Sequence, residues 1–258
     1  MSLSAFLLNG KIIFVTGSSR GLGWAMAQAC AQAGATTILH GRNEKKLKMR
    51  CKELNKQGFL SDYLCFDVED RKDLANAIPT IEKRHGSLWG LINNVGCIKH
   101  AHLFEAEVED YELLIRINLL TPMMLTKDAV QLMKKNGGHD KGRILNIGSI
   151  AVTSPRSGIG NYTSAKNALI GFTRSMNADL GKYGIRCNAI SPGYFKTDLT
   201  KKLQDDHEFW RRIELRTPAH RWGDAEELGP PAVFFMSEAS SYVSGQNLYV
   251  DGGMSHTL

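Results

Sequence analysis

A short apolar run, KIIFVT (residues 11–16), stops in a glycine-rich turn, TGSSRGLG (residues 16–23), and re-emerges as an alanine-rich stretch over residues 21–32. That order admits few folds. It predicts a strand, a reversal through positions that suit glycine, and a helix whose free N–H groups point back at the turn. The alternation then repeats. Apolar runs at 36–40, 61–66, 88–93, 142–147, 185–190 and 247–251 predict strands, and stretches 43–57, 70–83, 108–135 and 161–182 predict helices between them. Such βα units bury a parallel sheet on both faces. The expected fold is therefore α/β, a doubly wound parallel sheet of about seven strands with helices on both faces. No linker or repeat intervenes, so residues 1–258 read as a single domain. Residues 194–221 break the rhythm with charged, aromatic, partly helical sequence and are expected to form a substrate lid.

Composition narrows the function classes. Apolar residues make up 43% of the chain and charged residues 22%, which excludes a disordered chain. No apolar run reaches the roughly 18 residues of a membrane helix. Residues 1–10 carry a greasy patch, Phe6 to Leu8, without a basic leader or a small-residue cleavage site, so no signal peptide is read there. Cys30, Cys51, Cys65, Cys97 and Cys187 are odd in number and widely spaced, which predicts reduced thiols in a cytoplasmic protein. The densest basic run, Lys45, Lys46, Lys48, Arg50 and Lys52, has no interleaved aromatics and reads as a solvated helix face, not a nucleic-acid site. His100 and His102 are the one pair of histidines with ligand-like spacing and read as loop surface, so no catalytic metal is expected.

The glycine turn is the first candidate site. Gly17, Gly21 and Gly23 follow the first strand and open a helix, the context in which a pyrophosphate approaches backbone N–H groups closely. It is not a P-loop, because Leu22 stands where the second glycine belongs and no GK[ST] follows. Residues 17–21 also spell G-x-S-x-G, which would make Ser19 a hydrolase nucleophile, but that reading leaves Gly23 unexplained. After the second strand come His40, Gly41, Arg42 and Asn43, with no acidic residue to take the ribose hydroxyls of NAD. Arg42, helped by Arg20, suits a 2′-phosphate instead, so the expected cofactor is NADP(H) on a Rossmann-type sheet. Asp67 ends the third strand as a partner for adenine, and Asn93-Asn94-Val95-Gly96 ends the fourth.

Tyr162 and Lys166 lie four apart in a helical stretch, on one face. A phenol is a poor base near neutrality, and a neighbouring ammonium favours its ionised form. The pair suits proton exchange in an alcohol–ketone interconversion. Alone the spacing is common on surfaces. It gains weight from Ser149, which follows the fifth strand at the same sheet edge, and from Asn118. The latter sits on an apolar helix face, and Pro122, four residues on, has no N–H for its carbonyl, leaving a place for a water.

Taken together, TGSSRGLG, NNVG, Asn118, Ser149, Tyr162-Thr163-Ser164-Ala165-Lys166 and Pro192-Gly193 resemble the short-chain dehydrogenase/reductase family across the whole chain. The resemblance implies Tyr162 as the proton donor and acceptor. It implies that Lys166 lowers the phenol's pKa and binds the nicotinamide ribose, that Ser149 orients the substrate oxygen, and that Asn118 holds a water through its main chain. The implied coenzyme contacts are Gly17, Ser19, Arg20, Gly21, Leu22, Gly23, Arg42, Asn43, Asp67, Val68, Asn94, Gly96, Tyr162, Lys166, Pro192, Gly193 and Thr197. Val95 departs from the usual alanine. A homotetramer is implied, with the C-terminal strand in a subunit contact. Within the family, ILHGRN, PGYFKTDLT and RTPAHRWGDAEEL resemble the branch that interconverts gluconate and 5-ketogluconate. Lys99, His100 and Arg156 then become candidate contacts for an anionic sugar acid. Lys-His stands where that branch has Arg-Arg. A 3-oxoacyl-carrier-protein reductase and a broad secondary-alcohol dehydrogenase are the alternatives in the same class, and an NADP-sensing module is one outside it.

Overall fold

In the computed structural model, which describes residues 3–256, the main strands are β1 (Ile12–Val15), β2 (Thr36–Gly41), β3 (Ser61–Cys65), β4 (Gly90–Asn93), β5 (Gly142–Ile147) and β6 (Ile185–Pro192). Two short strands, β7 (Phe195–Lys196) and β8 (Gly223–Asp224), pair with each other, and β9 (Asn247–Val250) completes the main sheet. The strand order is β3-β2-β1-β4-β5-β6-β9, and every pairing is parallel. The doubly wound sheet read from the sequence is present. Met1, Ser2, Thr257 and Leu258, part of the 1–258 reading and of the N-terminal one, lie outside the described residues. Among the described residues no helix is long and apolar enough to cross a membrane.

The order explains where a ligand can sit. The chain winds outward from β1 to β3, then returns to place β4 on the other side of β1. The connections leave in opposite directions there, so a crevice opens beyond the carboxyl ends of β1 and β4.

The period of two along each strand sorts the core. Ile13 and Val15 point to one face with Leu39 and meet α1 (Gly21–Gln32) and α2 (Glu44–Lys56) through Met26 and Leu47. Phe14 points to the other with Ile38 and Leu91 and meets α3 (Arg71–His85) through Ile81.

Two departures from the sequence reading have clear causes. The stretch 108–135 is not one helix with a proline kink. It is α4 (Val108–Ile115), a π turn over Arg116–Leu120, and α5 (Thr121–Met133). Pro122 cannot donate to Asn118, and the backbone N–H of Thr121 reaches back to the Arg116 carbonyl, which the Thr121 hydroxyl also meets at 3.1 Å. After α6 (Gly160–Leu180), α7 (Lys201–Gln204) and α8 (His207–Arg216) comes α9 (Gly229–Met236), which was not foreseen. Its sequence, GPPAVFFM, is apolar all round and shows no helical period, but prolines fit a helix's first turn. It docks on α1 so closely that a Cβ on Gly229 would lie 2.7 Å from Ala29 Cβ.

Residues 194–221 hold β7, α7 and α8. They rest on a separate apolar cluster of Ile150, Phe209, Ile213, Trp222 and Met254, flanked by Tyr194 and Trp210. Trp210 and Trp222 stack at 4.8 Å, 8° from parallel.

Candidate active site

Because all seven strands run the same way, the residues that end them or follow them share one edge of the sheet. On that edge the turn after β1 is fixed by buried hydrogen bonds. The Ser18 hydroxyl donates to Val15 O (2.8 Å) and accepts from the His40 N–H (2.9 Å), while the Ser18 N–H donates to His40 O (2.9 Å). The Gly17 N–H donates to His40 Nδ1 at 3.1 Å. From β4, Asn94 Nδ2 donates to the carbonyls of Thr16 (2.9 Å) and Gly17 (3.1 Å), and the N–H groups of Asn94 and Val95 both reach the Thr16 hydroxyl. Gly17 has φ +64°, and a Cβ there would crowd Asn94 and Val95 at 3.1 Å; at Gly23 it would lie 2.4 Å from Gly17 O and from Asn94 Nδ2. Arg20 at the N-cap of α1 makes no side-chain capping bond. The first N–H groups of α1, at Gly21, Leu22 and Gly23, are therefore left without a side-chain acceptor beside a turn no larger residue could fill. That donor set suits the pyrophosphate of the expected NADP(H).

Sequence reasoning assigned no role to His40. It is 2% exposed, its ring lies 4.2 Å from Phe66 and 6.0 Å from Phe14, and burial lowers its pKa to about 4 against weaker opposing effects of the Phe66 backbone and Asp67. A neutral ring is what lets Nδ1 accept from Gly17. The signal was available only as a buried-strand histidine, since its partner lies 23 residues earlier.

Around the rim, Arg42 pairs with Asp67 at 3.2 Å and Arg20 with Asp198 at 3.8 Å. The candidate phosphate and adenine contacts thus touch each other in the free chain. The Asn43 side chain is committed to capping α2, where it accepts from the Lys46 N–H, and the Val68 side chain belongs to the core, so both could meet a nucleotide only through the main chain. Thr197 overhangs Gly21, with its Cβ 3.7 Å from where a Gly21 Cβ would stand. Pro192 ends β6, and Gly193 is packed so tightly on Asp251 that a Cβ would lie 2.7 Å from Asp251 Cα. Ser19 packs beside Gly41, and among the described residues no histidine bonds its hydroxyl, so the nucleophile reading finds no base.

The candidate reacting residues converge on the same edge. Lys166, 4% exposed, donates from Nζ to Ile147 O at 2.7 Å, and its Nζ lies 5.8 Å from the centre of the Tyr162 ring. Asn118, fully buried, is stapled to Cys97: Nδ2 donates to Cys97 O at 2.9 Å and Oδ1 accepts from the Cys97 N–H at 3.2 Å. Gly96 runs between them, and a Cβ there would fall 2.8 Å from Asn118 Oδ1 and 3.4 Å from Lys166 Nζ. Beneath, Asn93 Nδ2 donates to Asn146 Oδ1 at 2.8 Å, and Asn146 Nδ2 to the Thr173 hydroxyl at 2.9 Å. Ser149 accepts from the Ala151 N–H and lies close enough to Tyr162 to draw the phenol's pKa down.

Electrostatics correct one expectation. Burial pushes the Tyr162 phenol up, and Ser149 draws it down less strongly. Burial also lowers Lys166 itself, to about 8. Desolvation is the largest effect on each of the two groups.

The candidate substrate cations divide. Lys99 is taken by Asp110, its ion-pair partner on α4, whose carboxyl it holds below the usual range. That partner, eleven residues on, was not foreseen. His100 and Arg156 do come together, Nε2 to Nη2 at 3.3 Å.

A family model described as enoyl-(acyl carrier protein) reductase matches residues 17–255. The chain is 37% identical to a 2-dehydro-3-deoxy-D-gluconate 5-dehydrogenase of Formosa agariphila over 260 residues, all of this chain and 97% of the relative. It is also 37% identical to a gluconate 5-dehydrogenase of Gluconobacter oxydans, with 98% of each chain covered. The crystal structure of a gluconate 5-dehydrogenase from Burkholderia cenocepacia, in complex with NADP and tartrate, has 36% identity and a TM-score of 0.95 over the whole of both chains.

Proposed function

Since the chain belongs to the short-chain dehydrogenase/reductase family, we propose that it is an NADP(H)-dependent oxidoreductase interconverting gluconate and 5-ketogluconate, with Tyr162 as its proton donor and acceptor. The observation that carries this reading is the meeting of Ser149, Tyr162 and Lys166 at the sheet edge that also presents the glycine turn. The names of the relatives supply the substrate, and the NADP in the Burkholderia structure agrees with Arg42 standing where an acid would select NAD.

NADP(H), when bound, supplies or takes up the hydride. The protein's share is the proton. Tyr162 gives its hydroxyl proton to the substrate oxygen in reduction and takes it back in oxidation. Ser149, beside the same hydroxyl, steers that oxygen. The raised phenol keeps its proton through the neutral range, which equips the free chain for ketone reduction. Lys166, an ammonium below about pH 8, is fixed by Ile147 O where it can restore the phenol's proton. Asn118 and Gly96 wall its other side. Among the described residues no cluster of ligands could hold a metal, and the scheme calls for none.

The reading includes a cytoplasmic homotetramer. Five free thiols support the compartment. Exposed apolar side chains support the assembly: Phe104, Val108, Ile115 and Met124 on and just before α4 and α5, and Tyr242 and Leu248 on and just before β9. Two different self-complementary patches generate a tetramer. The 194–221 segment serves as the substrate lid of a single domain.

Tyr162→Phe should lower NADPH-linked reduction of 5-ketogluconate by roughly 10²–10⁴-fold while NADPH binding, read by nucleotide fluorescence, stays as in wild type. Retained turnover would remove Tyr162 from the reaction. Faster reduction of acetoacetyl thioesters than of sugar acids by wild type would favour the acyl-carrier alternative.

A further inference from the structure

Beside the lid lies a cavity of about 140 Å³ whose lining includes three guanidinium groups, Arg156 from the loop after β5 and Arg212 and Arg216 from α8. Phe209, Arg212, Ile213 and Arg216 occupy positions i, i+3, i+4 and i+7, which share one side of the helix. Phe209 and Ile213 are buried there, while Arg212 and Arg216 flank them as exposed cations that line the cavity. Arg211, one position off that side, does not line the cavity.

These three arginines lack counter-charge. None has an acidic partner within ion-pair distance among the described residues, although Arg221 nearby pairs with Glu227 at 2.6 Å. Arg212 and Arg156 both lie over the Phe209 ring, at 4.8 and 5.6 Å, and Arg156 otherwise meets His100. Like charges gathered around a cavity repel one another, and an anion there would relieve them through charge-assisted hydrogen bonds.

The cavity is also next to the chemistry. Ile150, the residue after Ser149, packs in one cluster with Phe209 and Ile213. Tyr194, which follows Pro192-Gly193, forms part of the wall. Taking the sugar-acid reading above as its premise, we infer that Arg212 and Arg216, together with Arg156, form the carboxylate subsite of the substrate pocket. The lid thus supplies two of the three cations that hold the substrate end remote from the reacting carbon.

The test compares 5-ketogluconate with L-sorbose, which carries a hydroxymethyl group in place of the carboxylate. Arg212→Met and Arg216→Met should each raise KM for 5-ketogluconate about tenfold beyond any change for L-sorbose, with Arg212→Lys recovering part of the loss. Arg211→Met, the same charge removed from the same helix, should show no such selectivity. A second reading needs no turnover: gluconate added to the nucleotide-free protein should quench the Trp210–Trp222 fluorescence saturably, and more weakly in both variants. Equal effects on the two ketoses, or an equal effect of Arg211→Met, would overturn the subsite while leaving the gluconate activity standing. If wild type reduces no sugar acid, the activity reading falls instead. The subsite is then decided by quenching alone, upheld if it depends on Arg212 and Arg216 and overturned if it does not.

Discussion

The two halves of the sheet edge are built in different ways. The half beside β1 and β2 is held by buried main-chain bonds: Thr16, Ser18 and His40 are each at most 2% exposed, and every one is tied to a neighbouring strand or to the turn itself. The half beneath residues 194–221 rests on a small apolar cluster and presents long, exposed side chains, with Leu199 71% and Leu215 68% exposed. A nucleotide diphosphate is the same whatever the enzyme reduces, so N–H groups of a rigid backbone can recognise it. A carbohydrate acid differs from an acyl thioester in its carboxylate and in the hydroxyls along its chain, and side chains on a variable segment can express that difference. The first half should be brittle and the second tunable.

The sharpest way to break that contrast is through acid. His40 is lowered from 6.5 to about 4, so the unfolded chain binds its proton first as the pH falls. Its contribution to stability is complete above pH 6.5 and lost as the pH falls towards 4, roughly 3 kcal/mol in all. Denaturant melts of wild type should show that slope, and His40→Asn, whose amide oxygen can accept from Gly17, should flatten it. Identical slopes would show that the turn does not depend on a neutral ring. Next in size is Gly23→Ala, which forces a methyl to within 2.4 Å of Gly17 O. It should cost about 2 kcal/mol of stability and weaken NADPH binding by tenfold or more, measured by calorimetry. Normal affinity would mean that the turn has slack. Smallest is Arg42→Ala at the exposed rim. It should weaken NADPH about tenfold and NADH hardly at all, and a parallel loss for both would assign Arg42 to something other than the 2′-phosphate.

The same contrast governs what could be read without coordinates. The parallel sheet, the glycine turn and the Tyr162–Lys166 pair were legible because each is local: a period of two, a motif after a strand, a spacing of four. Partners far apart in sequence were not. Nothing in the chain announced that His40 would accept from Gly17, that Lys166 would be fixed by Ile147, or that Asp110 would claim Lys99. The arginines of α8 read as undifferentiated charge until the phase of that helix separated Arg212 and Arg216 from Arg211. The α9 helix escaped because a segment apolar all round has no polar face to mark its period.

The π turn between α4 and α5 carries a consequence for the whole scaffold. A π turn holds one residue more than an α turn, so every side chain beyond it is swung by about 100° from where an uninterrupted helix would put it. Leu125, Ala129 and Met133 meet the sheet only in that shifted phase. The interruption around Asn118 therefore works as a vernier. Lengthening or shortening the chain there by one residue would rotate the buried stripe of α5 away from its sheet, so the segment around Asn118 also sets the angular alignment of the helix that follows.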